Sequence, residues 1–319
     1  MKAVMYHYVR SFQSSLPHFT FLHRDDFHSQ LKFLKREFGV VSKEEFLAWV
    51  LHPASIDEPE GVVLTFDDGF ADHYLNVAPL LAEEDAWGIF YIPTSVVSDN
   101  RVLNVHRIHI LLGHLGGDKC LSLLSHGSIA SMFSDELRSE FESKTYIRQQ
   151  SSSESVKLFK RMLNYYTDYR WQTKIIDRIL DESGIPESLW SDLCRDYYMT
   201  AEMIEGLHKS GHLIGSHSVS HRLMSRLPTH EQEVEIALSL ATLRTIINEP
   251  VLTFCYPYGG FHSFTRQTES LLGAAGVKFA FNVEERDLSA NDVLIRPYAL
   301  PRYDCNHFPC GAAYSSKES

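Results

Sequence analysis

The sequence predicts an α/β protein built around a parallel sheet, and three observations predict it. The run Gly61-Val62-Val63-Leu64-Thr65-Phe66 lacks polar alternation, as strands buried on both faces do. Segments of helical period alternate with such runs before about residue 100 and again from about residue 199. Three polar clusters, His7, Asp67-Asp68, and His217 with His221, follow predicted strands, where parallel α/β folds gather their active sites. Periodicity alone leaves the sheet either open and doubly wound or closed into a barrel.

Taken in order, a strand over Lys2–Tyr6 opens the chain. A helix near Asp25–Phe38 follows, because Phe27, Leu31, Leu34 and Phe38 share one face. Ser42 with Glu45 reads as a capping box for a second helix, Lys43–Leu51. The strand Gly61–Phe66, a helix Tyr74–Glu84 and the strand Trp87–Ile92 complete a β-α-β unit, with Trp87 and Phe90 as core. From about Asn100 to Tyr198 helical patterns at Ile108–Leu115, Asp135–Ser143, Ser155–Tyr166 and Gln172–Glu182 surround a polar linker, Gln149–Glu154. Hardly any β-branched run interrupts them, which marks a helical insertion. A helix capped by Thr200 and stopped by Gly211 leads to the strand His212–Ser216. A Thr229/Gln232 capping box starts a helix to about Asn248, then come the strand Val251–Tyr256, a helix Ser263–Leu272 and the strand Val277–Val283. The tail Ala312–Ser319 is expected to fray.

Composition narrows the function. The chain has 319 residues, 44% of them hydrophobic, which suits a sizeable globular core and allows two domains or one barrel with an insertion. Lys+Arg of 30 against Asp+Glu of 41 leaves −11, which argues against nucleic acid or anionic lipid as a partner. There is no run of about 18 apolar residues and the first apolar run is short, so no membrane span is expected and the location reads as cytoplasmic. Five cysteines, an odd number without C-x-x-C spacing, read as free thiols. Neither a glycine-rich nucleotide motif nor a G-x-S-x-G elbow is present.

Each polar cluster taken alone has a plain reading. Asp-Asp-Gly suits a turn, and two histidines four apart are unremarkable in a chain with 17. Together they describe a hydrolase layout. Two imidazoles at i and i+4 reach one ion from a single helical turn, and one carboxylate completes a His₂-carboxylate face with open positions. A second, adjacent carboxylate can then serve as base toward water.

The segments Thr65-Phe66-Asp67-Asp68-Gly69, His217-Ser218-Val219-Ser220-His221 and Phe254-Cys255-Tyr256-Pro257-Tyr258-Gly259 resemble, in order, the first three motifs of the polysaccharide deacetylase family, carbohydrate esterase family four. The resemblance covers about Met1–Ser98 and Met199–Tyr303. It implies a distorted (β/α) barrel of about seven parallel strands, with residues 1–99 and 199–311 as its two parts, 100–198 inserted and 312–319 a tail. It also implies Asp67 as catalytic base, Asp68, His217 and His221 as metal ligands, and the Tyr258 backbone N–H as an oxyanion donor. Many members carry an arginine where this chain has Cys255, and the usual late L-x-H motif is missing. Met5-Tyr6-His7 and Leu300-Pro301-Arg302 look like the branch in which the acid histidine comes early. His7 is therefore placed as general acid, with His307 as its alternative, and Arg302 as the group orienting the base, with Arg296 as fallback.

His106, with His109, is a candidate to line the substrate cleft, and Tyr258, Phe261 and His262 are candidates for a sugar platform. The resulting expectation is a hydrolase removing an N-acetyl group from an amino-sugar-containing glycan or sugar intermediate. Its cofactor would be one divalent metal ion, Zn²⁺ first, with Co²⁺, Mn²⁺ or Ni²⁺ tolerated. The alternatives are a deacylase such as a deformylase of a nucleotide- or lipid-linked sugar, and an inactive carbohydrate-binding relic.

Overall fold

Apolar residues that alternate between two cores explain why the strands read as unbroken hydrophobic runs. The computed structural model describes residues 1–99, 101–124, 136, 139 and 153–316. Its strands are β1 Lys2–Tyr6, β2 Val9–Arg10, β3 Leu22–His23, β4 Val62–Phe66, β5 Gly88–Ile92, β6 Leu213–Ser216, β7 Thr253–Cys255, β8 Phe279–Phe281 and β9 Tyr303–Asp304. β2 and β3 pair with each other, and the other seven form one parallel sheet in the order β8-β7-β6-β5-β4-β1-β9. Ala3, Val63, Ile89, Tyr91, Cys255, Phe279 and Phe281 share one core, capped by Phe46 and Trp49. Val4, Tyr6, Leu64, Phe66, Phe90 and Ile214 share the other, against Phe27, Leu31, Ile204 and Leu243 from surrounding helices. Burial on both faces is what parallel strands require.

The sheet curls into a distorted barrel. Leu300 bridges to Phe281 of β8, while Tyr303 and Asp304 of β9 pair with Val4 and Met5 of β1. The stretch leading into β9 therefore lies along both edges of the sheet. Asn282 N–H to the Leu300 carbonyl and Glu284 N–H to the Arg302 carbonyl continue this seam.

The chain divides into two compact units. The barrel unit is Met1–Ser11, Phe21–Asn100 and Asp196–Ala313; the helical unit is Phe12–Thr20, Arg101–Arg195 and Tyr314–Ser319. Helices Asn104–Leu115, Gly117–Leu124, Glu154–Asn164 and Tyr169–Ser183 of the helical unit bury Ile108, Leu111, Phe159, Leu163 and Ile176 together. Apart from positions 136 and 139, the helix expected over 135–143 lies outside the described residues, as does most of the 149–154 linker. The expectation that the tail frays needs revision at Tyr314, whose ring lies 5.7 Å from that of Phe12, and at Ser316, which donates to the Pro17 carbonyl at 3.2 Å.

Local signals held where side chains act on their own backbone. The Ser42/Glu45 capping box and the Thr200 cap both form. The Thr229/Gln232 box does not: the helix Thr229–Ile247 starts after Pro228, with no side-chain cap. Gln232 instead donates to the Leu227 carbonyl at 2.9 Å and accepts from the Thr268 hydroxyl at 2.7 Å, so a tertiary link takes the amide that a cap would use. The helix expected from Ser263 begins at Arg266, capped by Thr265.

Candidate metal centre

The strand ends of β1, β4, β6 and β7 bring the motif residues together. After β4, Asp68 and Gly69 adopt φ of 78° and 66°, so the chain reverses sharply and the two adjacent carboxylates acquire different neighbours. Asp68 Oδ1 lies 3.0 Å from His221 Nε2 and 3.4 Å from His217 Nε2. Asp67 instead faces Arg302, whose Nη1 and Nη2 donate to its two carboxylate oxygens at 2.9 and 2.8 Å.

The loop from His217 to His221 is not the single helical turn that the spacing suggested. Ser218 and His221 sit at φ of 65° and 55°, and the loop is held by outside groups. Glu235, buried on the helix Thr229–Ile247, accepts from the backbone N–H groups of Val219 and Ser220, both at 2.8 Å, and from Arg222 at 3.0 Å. Thr94 and Ser95 N–H groups bond the carbonyls of Ser218 and Val219, and the Ser218 hydroxyl accepts from His221 N–H. His217 Nδ1 donates to the Cys255 carbonyl at 2.8 Å, which fixes the ring and presents Nε2 to Asp68.

Asp68, His217 and His221 are all buried and offer one ligand atom each within 4.8 Å of one another. This donor set fits a divalent cation: one carboxylate oxygen and two imidazole nitrogens, one of them oriented through its other nitrogen. Burial would lower the pKa of His217, but Cys255, the hydrogen bond to Asp68 and the charge of Asp67 raise it well above the imidazole range. The negative field that favours a proton there also favours a cation. A second cluster, Asp67, His217 and Cys255, is equally close, but Arg302 Nη2 lies 2.8 Å from Asp67 and 2.9 Å from Cys255 Sγ and supplies the positive charge itself. In the cluster of His28, Glu83 and Glu84, Lys32 and Lys35 already pair with Glu84.

Arg302 is fully buried and also donates to the Thr65 hydroxyl at 2.8 Å. Burial of Asp67 would raise its pKa; the charge and hydrogen bonds of Arg302 outweigh this and hold it at about 2. Arg296 is engaged elsewhere, with Glu269 at 2.6 and 3.1 Å. His7 is half-buried just past β1 and is the least of the groups that lower the pKa of Asp67. His307 is exposed in the short turn Cys305–His307. Tyr258 holds φ of 70°, unusual for a residue with a Cβ, and its ring lies 5.0 Å from that of His221. Phe261 is exposed beneath the Arg296 guanidinium, 4.7 Å from its ring centroid. His106 is buried in the helical unit, 5.9 Å from the ring of His109.

Glu235 escaped the sequence reading. Its signal was the stripe Gln232, Glu235, Ile236 and Ser239, in which polar residues occupy the buried face of a helix.

The fold and the clustered carboxylate and imidazoles place the chain among metal-site (β/α) proteins, and the comparisons name the family. The sequence model of the family described as "Polysaccharide deacetylase" matches residues 55–279, more than half of the chain, which belongs to that family. No curated protein matches it in sequence. Among solved structures, the Streptococcus pyogenes deacetylase PplD in complex with acetate is similar at 15% identity and TM-score 0.58, over 95% of this chain and 91% of that one. A de-N-acetylase from Aggregatibacter actinomycetemcomitans is similar at 13% identity and TM-score 0.52, over 99% and 98%. The BpsB deacetylase domain from Bordetella bronchiseptica is similar at 13% identity and TM-score 0.51, over 95% and 94%. At these identities the likeness is one of fold.

Proposed function

We propose that the chain is a metal-dependent carbohydrate N-deacetylase that removes an acetyl group from an N-acetylated amino sugar, in a glycan or a sugar intermediate. One observation carries the reading: a buried carboxylate, Asp67, is kept ionised by paired bonds from Arg302 beside a separate buried Asp68-His217-His221 donor set. A binding relic has no use for an ionised base so placed.

Asp68, His217 and His221 are the proposed ligands, with Zn²⁺ as the ion and Co²⁺, Mn²⁺ or Ni²⁺ as alternatives that the same donors accept. When bound, the cation supplies Lewis-acid polarisation of the acyl carbonyl and acidifies water. Asp67 takes the proton of the attacking water on a carboxylate oxygen, while Arg302 keeps that carboxylate fixed and charged. The Tyr258 backbone N–H, turned by its positive φ, holds the oxygen that gains charge. His7 gives a proton to the leaving nitrogen as the C–N bond breaks, which releases the amine and acetate. No role is assigned to His106, whose ring is buried in the helical unit.

The test is acetate release by the metal-loaded protein from N-acetylglucosamine oligomers and from N-acetylated nucleotide sugars. Release that a chelator abolishes and Zn²⁺ or Co²⁺ restores is the expected result. Formate from an N-formyl sugar, without acetate, would reassign the acyl group, and sugar binding without either product would overturn the hydrolase reading.

A further inference from the structure

The segment that carries His7 beyond β1 is fastened from one side by a single turn of helix. Close after Asp67-Asp68-Gly69, the chain enters a π-type turn, His73–Val77. His73 Nε2–H donates to the His7 backbone carbonyl at 2.8 Å, and Asn76 Nδ2–H donates to the Val9 carbonyl at 2.8 Å. Asp72 accepts from Arg10 Nε at 2.7 Å. Side chains of one turn thus grip the stretch from His7 to Arg10 at three points.

His73 is the informative member. Its ring is wholly buried, with centroids 5.6, 5.6 and 5.9 Å from Phe66, Phe70 and Phe90. Burial pushes its pKa down, so the ring is neutral and has one N–H, which the His7 carbonyl claims because a carbonyl only accepts. Nδ1 is left without a hydrogen-bond partner among the described residues. Phenylalanine would fill this aromatic cage without that cost, so packing does not account for an imidazole here. What the imidazole adds is the bond to the backbone of His7.

We propose that the turn Asp72–Asn76 is a latch that positions His7, with His73 as the positioning residue. The proposal rests on the reading of His7 as general acid. Because the latch follows directly from the turn that carries Asp67 and Asp68, it holds the base and the acid in one register. A proton delivered by His7 to the leaving nitrogen must travel along a set line as the C–N bond opens, and the imidazole is then reprotonated from solvent. Small displacement of such a donor is costly.

The experiment compares two acetyl donors. An N-acetylglucosamine pentamer leaves as an amine and needs a proton; 4-nitrophenyl acetate leaves as a stable phenolate and does not. His73→Phe and Asn76→Ala should lower kcat on the pentamer about tenfold to a hundredfold with KM nearly constant, as expected for a misplaced acid. Hydrolysis of the ester and metal content should stay at parental values. In the pair His7→Gln/His73→Phe the pentamer rate should be no lower than in His7→Gln alone, because the latch has nothing left to position. Equal losses on both donors, additive losses in the double variant, or full pentamer activity in His73→Phe and Asn76→Ala would overturn the latch. Full pentamer activity in His7→Gln would instead overturn the acid reading, and the latch with it. Asn76 is only half-buried, so its variant keeps the test open even if His73→Phe folds poorly.

Discussion

Asp67 and Asp68 are neighbours in sequence and differ in everything that surrounds them. One is paired with Arg302, the other with two imidazoles, and the left-handed backbone at Asp68 makes the separation. Asp67→Asn should therefore retain metal yet lose turnover by about 10²-fold or more, whereas Asp68→Ala should lose the metal itself. Metal analysis beside acetate release checks both, and metal loss in Asp67→Asn would interchange the roles. The pH dependence follows from the pKa of Asp67, depressed to about 2. A depressed carboxylate contributes stability that is full above the ordinary carboxylate range and is lost only as pH falls toward about 2. The acid limb of the rate profile should then belong to another group. Arg302→Met should raise the Asp67 pKa until Asp67 itself sets the acid limb, now at higher pH, and cost about 3–5 kcal/mol of stability, since it strands a buried charge. A pH–rate series and urea unfolding measure the two effects.

At the level of elements, the sequence was most legible where pattern and burial coincide. Runs such as Val62–Phe66 and Gly88–Ile92 are apolar throughout because alternate residues enter two different cores, and that pattern survives without knowledge of any partner. The proposed ligands Asp68, His217 and His221 were nameable from their motifs, and their side chains lie close together. What local pattern did not carry was how the His217–His221 loop holds its shape. That depends on Glu235, distant in sequence and in no motif. Gln232 misled for the same reason, since its amide serves a contact with Thr268 that no local rule describes. Glu235→Gln keeps one acceptor oxygen for the N–H groups of Val219 and Ser220 but sets an NH2 donor against Arg222, which should loosen the loop and weaken Co²⁺ binding about 10- to 100-fold. Titration of the metal-free variant with Co²⁺ reads this directly, and an unchanged affinity would show that the loop holds its form without the carboxylate.

At the scale of the whole molecule, the barrel unit and the helical unit have separate apolar cores. Among the described residues no helix is long and apolar enough to cross a membrane. The proposed metal site lies wholly within the barrel unit, so a chelator should lower the unfolding temperature of that unit and leave the transition of the helical unit in place, as ligand linkage requires. Scanning calorimetry with and without chelator tests this; a single transition that shifts as a whole would mean that the two units unfold as one. The seam of the barrel has a consequence in time. Arg302, on the stretch that joins the two edges of the sheet, follows Asp67 by 235 positions. A ribosome making this chain releases both aspartates and both histidines well before it adds the guanidinium that keeps the base charged. Until then the nascent protein has the proposed ligands but either a neutral acid at Asp67 or a stranded charge. The charge pairing of Asp67 is thus completed last, when the final strand docks, and under the proposed reading translation that stops between 221 and 302 leaves the proposed ligands without a working base.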